Sequence, residues 1–364
     1  MSASLNMSAS LEGSVAVRLA VAGGRVRAAT MTMQRPDAAR ALIGRTPEEA
    51  VRLVPLLFSL CSTAQALAAA EALESAIAID AAPHATARAL LVAAEVADSH
   101  AWQALVDWPK RLGETPQPQA LAPLRAATAA IPAALYPDRD GLRLGGGTLR
   151  PDHTALGTAI ARLRELVQQT VFGGPPPADA RSLAVWVSVG ATPAARLMDR
   201  ALAPDLAGFG ASDAPSLGPL ARQRAHPLVT ALLDRHGPGV AAHAAARLAE
   251  LSDLPDRMAR LTAALDDSPI GTTPAPQNRD GTGAGSGTVE TARGRLTHRV
   301  RLADGRIADY RIEAPTDRNF AADGPLARGL SGACADDGLP ERAGMLVTAL
   351  DPCVACTISI VDED

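Results

Sequence analysis

The sequence predicts an α+β protein in which β-hairpins near both chain ends are joined to a mainly helical core. Long stretches carry apolar residues at helical spacing, and two shorter stretches alternate apolar and polar residues around a glycine turn. The chain is 47% apolar but only 2% aromatic, so Ala, Leu and Val must fill the core. At 364 residues it has room for one large or two ordinary domains.

The first elements follow from local patterns. Residues 11–33 alternate around Gly23 and Gly24, which predicts a hairpin. A helix should begin at Thr46, where the pattern Thr-x-x-Glu forms a capping box, and Pro55 should end or kink it. Further amphipathic helices are expected over residues 84–106, 154–171 and 226–265, the last broken near Gly237-Pro238-Gly239.

A change of composition marks the region after these helices. Residues 266–288 are rich in Pro, Gly, Ser and Thr, which predicts a flexible surface loop. Its GAGSG stretch (283–287) lacks the Lys-Ser/Thr of a phosphate-binding loop, which favours a linker. A second hairpin should turn at Asp304 and Gly305, and the tail after it is expected to be irregular.

Composition and charge exclude several classes of function. The net charge is −4 and Arg is scattered, so neither a nucleic-acid nor an anionic-membrane surface is expected. The N-terminal stretch has no signal-peptide pattern, and no apolar run is long enough to span a membrane. Four cysteines are too few for a disulfide framework. These observations indicate a soluble protein of a reducing compartment, expected to be cytoplasmic, with thiols that are free or bind metal.

The stretch DPCVAC (351–356) places Cys353 and Cys356 in a C-x-x-C pattern close to the last residue. Such a pair can be a redox centre, half of a zinc site, or chance. No second cysteine pair or nearby histidine completes a zinc site, and a thioredoxin-like pair would stand inside a βαβ unit. Spacing alone therefore leaves metal binding and chance open.

The order of several motifs resembles the large subunit of nickel–iron hydrogenases. DPC-x-x-C is similar to that family's closing motif, and LLFSLCSTAQ lies where its R-x-C-G-x-C-x-x-x-H is found. ETARG (290–294), LTH (296–298) and YRIEAPTDRNF (310–320) are similar to its E-A-P-R-G, L-x-H and Y-x-x-x-x-P-T-x-W-N. The resemblance implies a hydrogenase large-subunit-like fold. It also implies a single domain over residues 1–364, since cysteines from both chain ends must reach one metal centre.

The resemblance also assigns metal ligands. In that family four cysteines hold nickel and iron, and the iron carries carbon monoxide and two cyanides. Position by position, Cys61 and Cys356 fall on the two bridging positions that face iron, and Cys353 on a nickel-terminal position. The other nickel-terminal position is Phe58, which cannot bind a metal, and Gln65 replaces a histidine. The resemblance therefore implies an iron site without nickel.

Two further residues match the groups that contact the cyanides. Arg293 and Thr316 stand at these positions, and charge-assisted hydrogen bonds suit a cyanide nitrogen. Ala292 and Arg318 replace a proline and a tryptophan of the family, which changes the shape of the pocket. Cys334 is expected to be an ordinary small residue, and the scattered histidines to be structural or solvated. His298 should make a hydrogen bond, either around the site or within the structure, and not bind a metal.

Several losses resemble one branch, the HupK/HoxV-type hydrogenase accessory proteins. A proton-relay glutamate is absent from QRPDAARALIGR, and Ser359 replaces the histidine at which enzyme subunits are cut, so no cleavage is expected. LVDWPKRLGE (105–114) and ADGPLARGL (322–330) are also similar to this branch.

Membership of this branch implies a non-catalytic scaffold that holds Fe(CN)2CO transiently and passes it on. The expected partners are the precursor of the hydrogenase large subunit and the hydrogenase maturation chaperones. Two alternatives remain open. A hydrogenase-like redox enzyme is disfavoured by Phe58 and the missing glutamate, and a metal-free partner of the chaperones is disfavoured by the retained cysteines.

Overall fold

The structure, a computed structural model, describes residues 13–35, 37–58, 60–215, 217–266, 270 and 281–363. In this part of the chain, two three-stranded sheets stand beside a helical core. The predicted α+β class with hairpins near both chain ends is confirmed.

The first sheet joins the two ends of the chain. Strands β1 (Ser14–Ala22) and β2 (Arg25–Gln34) form the predicted antiparallel hairpin. Strand β6 (Ala355–Asp362) pairs with β1 in parallel and sets Cys356 opposite Val15. The alternating face of β1 is buried and anchors the sheet on the core. Residues from the C-terminal cysteine motif therefore lie next to the N-terminal hairpin.

The helical core is built between residues 47 and 263. Thr46 caps the first helix through the predicted capping box, and Pro55 lies inside this helix, which ends two residues later. The predicted break at residues 237–239 is also present. The helices are α1 Pro47–Leu57, α2 Ser62–Ile77, α3 Ala85–Trp102, α4 Trp108–Arg111, α5 Pro118–Leu135, α6 His153–Leu166, α7 Ala180–Val189, α8 Pro193–Ala201, α9 Pro219–Arg222, α10 Pro227–His236 and α11 Val240–Ala263.

The core is aliphatic, as the composition predicts. Helix α11 packs against α3, α6 and α10, and α5 packs against α3 and α6. A turn of π-helix extends α3 over Gln103–Asp107 and α6 over Val167–Phe172. Among the helices described, none is long and apolar enough to cross a membrane.

The second sheet contains β3 (Gly283–Thr291), β4 (Gly294–Ala303) and β5 (Arg306–Glu313). The predicted turn at Asp304 and Gly305 joins β4 to β5. This sheet lies on α2 through β3 and β4. A smaller hydrophobic cluster, which includes Val54, Leu73 and Ile307, fills the space between α1, α2 and the sheet.

The predicted flexible loop over residues 266–288 needs correction at its end. Residues 283–288 are part of β3, whereas 267–269 and 271–280 lie outside the described residues. A Cβ atom on Gly285 would lie 2.0 Å from the carbonyl oxygen of Ala72, and one on Gly287 would lie 2.2 Å from that of Ala68. These glycines therefore let the strand pack closely on the helix backbone. In the sequence, a glycine-rich strand of this kind has the same composition as a linker.

The expectation of an irregular tail is wrong. Helices α12 (Pro315–Asn319), α13 (Pro325–Leu330) and α14 (Leu339–Leu350) precede β6. The β-branched residues of β6 suit a strand, and β1 offers a free edge for it. Helix α14 and strand β6 together fix the segment 351–354 that carries Cys353.

Candidate functional site

Cys61 lies at the start of α2, where the chain leaves the end of α1. It is the N-cap residue of α2, and its side chain makes no capping hydrogen bond. The thiol is half-buried. The first N–H groups of a helix have no partner within the helix, so those of α2 need acceptors other than the Cys61 side chain.

A buried chain of hydrogen bonds reaches the Cys61 sulfur from the second sheet. Gln65 Nε2 donates to Cys61 Sγ at 3.7 Å, and Gln65 Oε1 lies 2.8 Å from His298 Nε2. His298 Nδ1 lies 2.7 Å from the hydroxyl of Tyr310. Burial lowers the pKa of His298 to about 3, so its ring is neutral. The prediction that His298 makes a hydrogen bond is confirmed, since both ring nitrogens are engaged.

Glu95 of α3 satisfies the N-terminal N–H groups that Cys61 leaves free. Its two carboxylate oxygens accept from Thr63 N at 2.7 Å and Ala64 N at 3.2 Å. Burial raises the pKa of Glu95 to about 7, against the effect of these hydrogen bonds. A carboxyl group that titrates near neutrality therefore lies beside the predicted ligand.

Cys353 stands in a short, unusual turn between α14 and β6. Asp351 and Cys353 adopt left-handed backbone angles, with φ of 55° and 53°. Non-glycine residues rarely adopt this conformation, and such residues often occur at functional sites. The fully buried Thr316 has its hydroxyl 3.4 Å from Cys353 Sγ and 3.3 Å from the Pro352 carbonyl oxygen. Thr316 thus contacts a predicted metal ligand directly.

Arg293 is buried between the two cysteine-bearing segments. Its Nε lies 3.0 Å from Asp351 Oδ2 as an ion pair, although neither atom makes a well-oriented hydrogen bond. Burial opposes its charge, but Asp351, Cys353 and Cys61 together raise the pKa of Arg293. The guanidinium is therefore a fixed positive charge close to both sulfurs.

Cys61 and Cys353 lie close enough for their charges to interact. Burial first, then Cys353 and Glu95, raise the pKa of Cys61 to about 12, while Arg293 and Gln65 oppose the rise. The thiol is therefore protonated at neutral pH in the metal-free protein. It would have to lose its proton to bind a metal.

Cys356 is placed differently. It lies on β6 with its sulfur 3.9 Å from the carbonyl oxygen of Thr357, and burial raises its pKa to about 11. Within the described residues, no group of three His, Cys, Asp or Glu side chains is arranged to hold a metal ion. Cys61 interacts electrostatically with Cys353, and Cys356 lies three residues further along the chain. The assignment of Cys61 and Cys356 to the two positions that face iron stays a prediction.

The remaining predicted residues lie at the edge of this site or away from it. Phe58 is half-buried at the end of α1 and packs on the smaller hydrophobic cluster. Cys334 is exposed, and its backbone pairs with Arg25 beside β2.

Three charged residues near the site were missed by sequence reasoning. Besides Glu95, they are Asp107, whose pKa is raised by burial and by Asp351, and Arg247 of α11, 3.9 Å from Asp351. Asp107 lies in the stretch LVDWPKRLGE, which is similar to the HupK/HoxV branch. That similarity did not indicate a role for Asp107. Glu95 and Arg247 belong to amphipathic helices and carry no motif signal.

Comparisons with known proteins identify relatives over nearly the whole chain, although no family model matches. The chain is 34% identical over 379 residues to the hydrogenase expression/formation protein HupK of Azotobacter vinelandii, covering 96% of this chain and 99% of that protein. It is 31% identical over 373 residues to HupK of Bradyrhizobium diazoefficiens, covering 97% and 98%. A shorter match, 42% over 80 residues, joins it to HoxV of Cupriavidus necator and covers 20% and 21%.

A search of solved structures supports the predicted fold. The Ni-Fe-Se hydrogenase from D. vulgaris Hildenborough matches with a TM-score of 0.67 at 16% identity, covering 91% of this chain and 94% of that chain. At this identity the likeness concerns the fold alone. The predicted hydrogenase large-subunit-like fold is confirmed.

Proposed function

The chain belongs to the HupK/HoxV family of hydrogenase expression/formation proteins, and we propose that it acts there as a non-catalytic scaffold. In this proposal it holds an Fe(CN)2CO group through cysteine sulfur and transfers it to the precursor of the hydrogenase large subunit. The group is cargo rather than a resident cofactor. We also propose the hydrogenase maturation chaperones as partners and the cytoplasm as the place of action.

The observation that supports this proposal is the arrangement of Cys61 and Cys353 beside Arg293 and Thr316. Thiolates are soft ligands that suit low-spin iron. A cyanide nitrogen is a strong acceptor, and a buried guanidinium and a hydroxyl are directed donors. The residues present therefore fit the chemistry of the proposed cargo, and Cys356 supplies a third sulfur on the same segment.

The protonation state of the thiols favours temporary binding. The pKa values of about 12 for Cys61 and about 11 for Cys356 mean that cargo binding must displace protons near neutral pH. This cost weakens the net affinity for iron compared with a site of ionised thiols. A scaffold has to bind its cargo less tightly than the receiving subunit does, so a weakened site suits transfer.

Phe58 supports the non-catalytic part of the proposal. A nickel ligand would be needed at this position, and the side chain there is an apolar ring packed on the smaller hydrophobic cluster. We therefore propose that the protein neither binds nickel tightly nor oxidises hydrogen. Stoichiometric nickel by elemental analysis, or hydrogen uptake with an artificial acceptor, would contradict this.

Infrared spectroscopy tests the scaffold directly. Protein co-produced with the hydrogenase maturation system and purified without oxygen should show carbon monoxide and cyanide stretches, in a region where protein itself does not absorb. Cys61→Ala and Cys353→Ala should lose these bands. The band intensity in Cys356→Ala shows how much Cys356 contributes to holding the group. Cys334→Ala is the matched control, since Cys334 is exposed and outside the site. Bands that survive both Cys61→Ala and Cys353→Ala would overturn the assignment.

A capture experiment tests transfer. Tagged protein should bring down the uncleaved large-subunit precursor, and bands should move from the tagged protein to the precursor with time. If wild type and a Cys61→Ala/Cys353→Ala double variant capture the precursor equally, and neither carries bands, the protein is a metal-free partner instead.

A further inference from the structure

Two buried arginines lie beside the buried carboxylate of Asp351, and Asp107 interacts with Asp351 and Arg293 from further away. Asp351 Oδ2 lies 3.0 Å from Arg293 Nε and 3.9 Å from Arg247 Nη2. The side chains of Arg247 and Arg293 are only 4% and 8% exposed, and no described residue accepts a hydrogen bond from either Nε. Both Nε donors are therefore buried without an acceptor, which is costly in a protein interior.

The neighbouring carboxylate of Glu250 does not supply the missing acceptors. Glu250 attracts Arg247, but its oxygens already accept from Arg222 Nε at 2.6 Å and Arg222 Nη2 at 2.8 Å. His100 Nε2 also lies 2.8 Å from one of these oxygens. Glu250 is thus bound to Arg222 and His100. Arg247 Nη2 donates to the carbonyl oxygen of Ala349 at 3.3 Å and lies 3.9 Å from Asp351, and its Nε remains without an acceptor.

A pocket opens next to the two arginines. It has about 10 Å³ of space for the centre of a water molecule, enough for roughly one water-sized group. A second space of about the same size adjoins it through shared lining residues and leads to the partly exposed segment 210–214. None of the described residues that line either space is a cysteine. The inner space is lined chiefly by Leu217, His243, Arg247, Arg293, Asn319 and Leu350.

We propose that this pocket binds a small monovalent anion such as a halide. Arg247 and Arg293 supply positive charge and buried N–H donors without acceptors, and an anion in the pocket would accept from them. The ring of His243 makes no hydrogen bond to any described residue, and burial and Arg247 lower its pKa to about 4, so a neutral ring with one N–H donor faces the pocket. Sulfate and phosphate are too large for this space. No thiol lines the pocket, but Arg293 is shared with the proposed cargo site, so the proposal is tested on the metal-free protein.

Thermal unfolding of the metal-free protein in sodium bromide tests the site. The probe is bromide at millimolar concentration, with sodium gluconate keeping the ionic strength constant. An anion that binds only the folded state raises the midpoint, and the rise should reach about 2 °C and keep increasing with the logarithm of the bromide concentration. Equal midpoints in bromide and gluconate would overturn the proposal.

Two matched variants locate the effect. Leu217→Trp fills the pocket without changing a charge and should abolish the response to bromide. Val185→Trp adds an indole at an exposed position of α7 and should leave the response to bromide unchanged. A full response in Leu217→Trp would contradict the site.

Anomalous diffraction from crystals grown in bromide gives an independent reading should Leu217→Trp fail to fold. A peak between Arg247 and Arg293 is expected, and its absence would overturn the proposal.

Discussion

Glu250 and Asp351 are both buried carboxylates placed beside arginines, yet they are used differently. Glu250 receives two short hydrogen bonds from Arg222 and one from His100, and these partners lower its pKa to about 2 although burial alone would raise it. Asp351 faces Arg293 and Arg247 in a left-handed turn, and its Oδ2 receives no well-oriented hydrogen bond. One carboxylate is saturated and the other is not.

The difference separates a structural ion pair from a site. Glu250 lies between α3, α9 and α11 and joins three helices of the core. Asp351 lies beside Cys353 and keeps Arg293 close to both thiols. A buried polar group whose bonds are incomplete marks a place where another molecule can complete them. Here the incomplete cluster adjoins the sulfurs of the proposed cargo site.

Removing Glu250 should have the largest effect on stability. Glu250→Ala leaves Arg222 and His100 without their buried partner, which costs about 3 kcal/mol of unfolding free energy. This is the lower end of the range, because Arg222 keeps Glu290 at 3.2 Å. Urea unfolding followed by circular dichroism measures the change, and infrared bands per folded molecule should remain.

The matched control for this prediction is an exposed pair. Glu165→Ala removes the partner of Arg162 at the surface and should leave the urea midpoint unchanged. If the two alanine variants unfold alike, Glu250 is no more structural than a surface carboxylate and the comparison fails.

Asp351→Asn should cost less stability but more function. Asn tolerates the left-handed backbone, and the adjoining pocket lets water reach the two arginines, so a loss of about 1 to 2 kcal/mol is expected. Arg293 would lose its anchor, and the carbon monoxide and cyanide bands should weaken or shift. Urea unfolding and infrared spectra on one preparation test both parts. Unaltered bands would show that Asp351 does not position Arg293.

Much of the fold follows from local sequence signals. The two hairpins, the capped first helix and the break before α11 are visible as alternation, turn residues and capping patterns. The strand over residues 283–288 could not be predicted, because its glycines serve close packing on α2 and look like a linker. Strand β6 was missed because its pairing with β1 joins opposite ends of the chain.

The site was predicted only where motifs carry it. Cys61, Cys353, Arg293 and Thr316 come from ordered motifs, and the structure places them together. The charged residues around them lie on helices. The apolar periodicity of a helix predicts which residues are buried, but not which residues of other helices they contact. Glu95 is therefore recognisable only once α3 is seen against α2.

His298 extends the comparison to a neutral buried group. Its partners Gln65 and Tyr310 carry no charge, and its pKa of about 3 lies below the ordinary value of 6.5. As pH falls below 6.5, the His298 side chain binds a proton in the unfolded chain but stays neutral in the folded protein. The free energy of unfolding therefore decreases from pH 6.5 towards pH 3. His298→Gln should reduce the slope of unfolding free energy against pH by about 1.4 kcal/mol per unit. Urea unfolding at several pH values measures it, and parallel curves would refute it.

Glu95→Gln should have the smallest effect on stability and a specific effect on Cys61. With a pKa of about 7, Glu95 is about half protonated at neutral pH, and Gln resembles the protonated form. The change should therefore cost less than about 1 kcal/mol. It removes a negative charge that raises the pKa of Cys61, so that pKa should fall. The alkylation rate of Cys61 against pH, in a variant without the other cysteines, measures this.

Glu71→Gln is the matched control for Glu95→Gln. Both are partly or wholly buried glutamates with raised pKa values that accept a backbone N–H, but Glu71 accepts from Thr288 of β3, ten residues along α2 from Cys61. Its replacement should leave the alkylation profile of Cys61 unchanged. Cys353, which also raises the pKa of Cys61, is absent from the alkylated variant. A shift of the Cys61 pKa in Glu95→Gln therefore reports the loss of the Glu95 charge. Equal profiles for both variants would mean that the α2 terminus, and not Glu95, sets the protonation of the thiol.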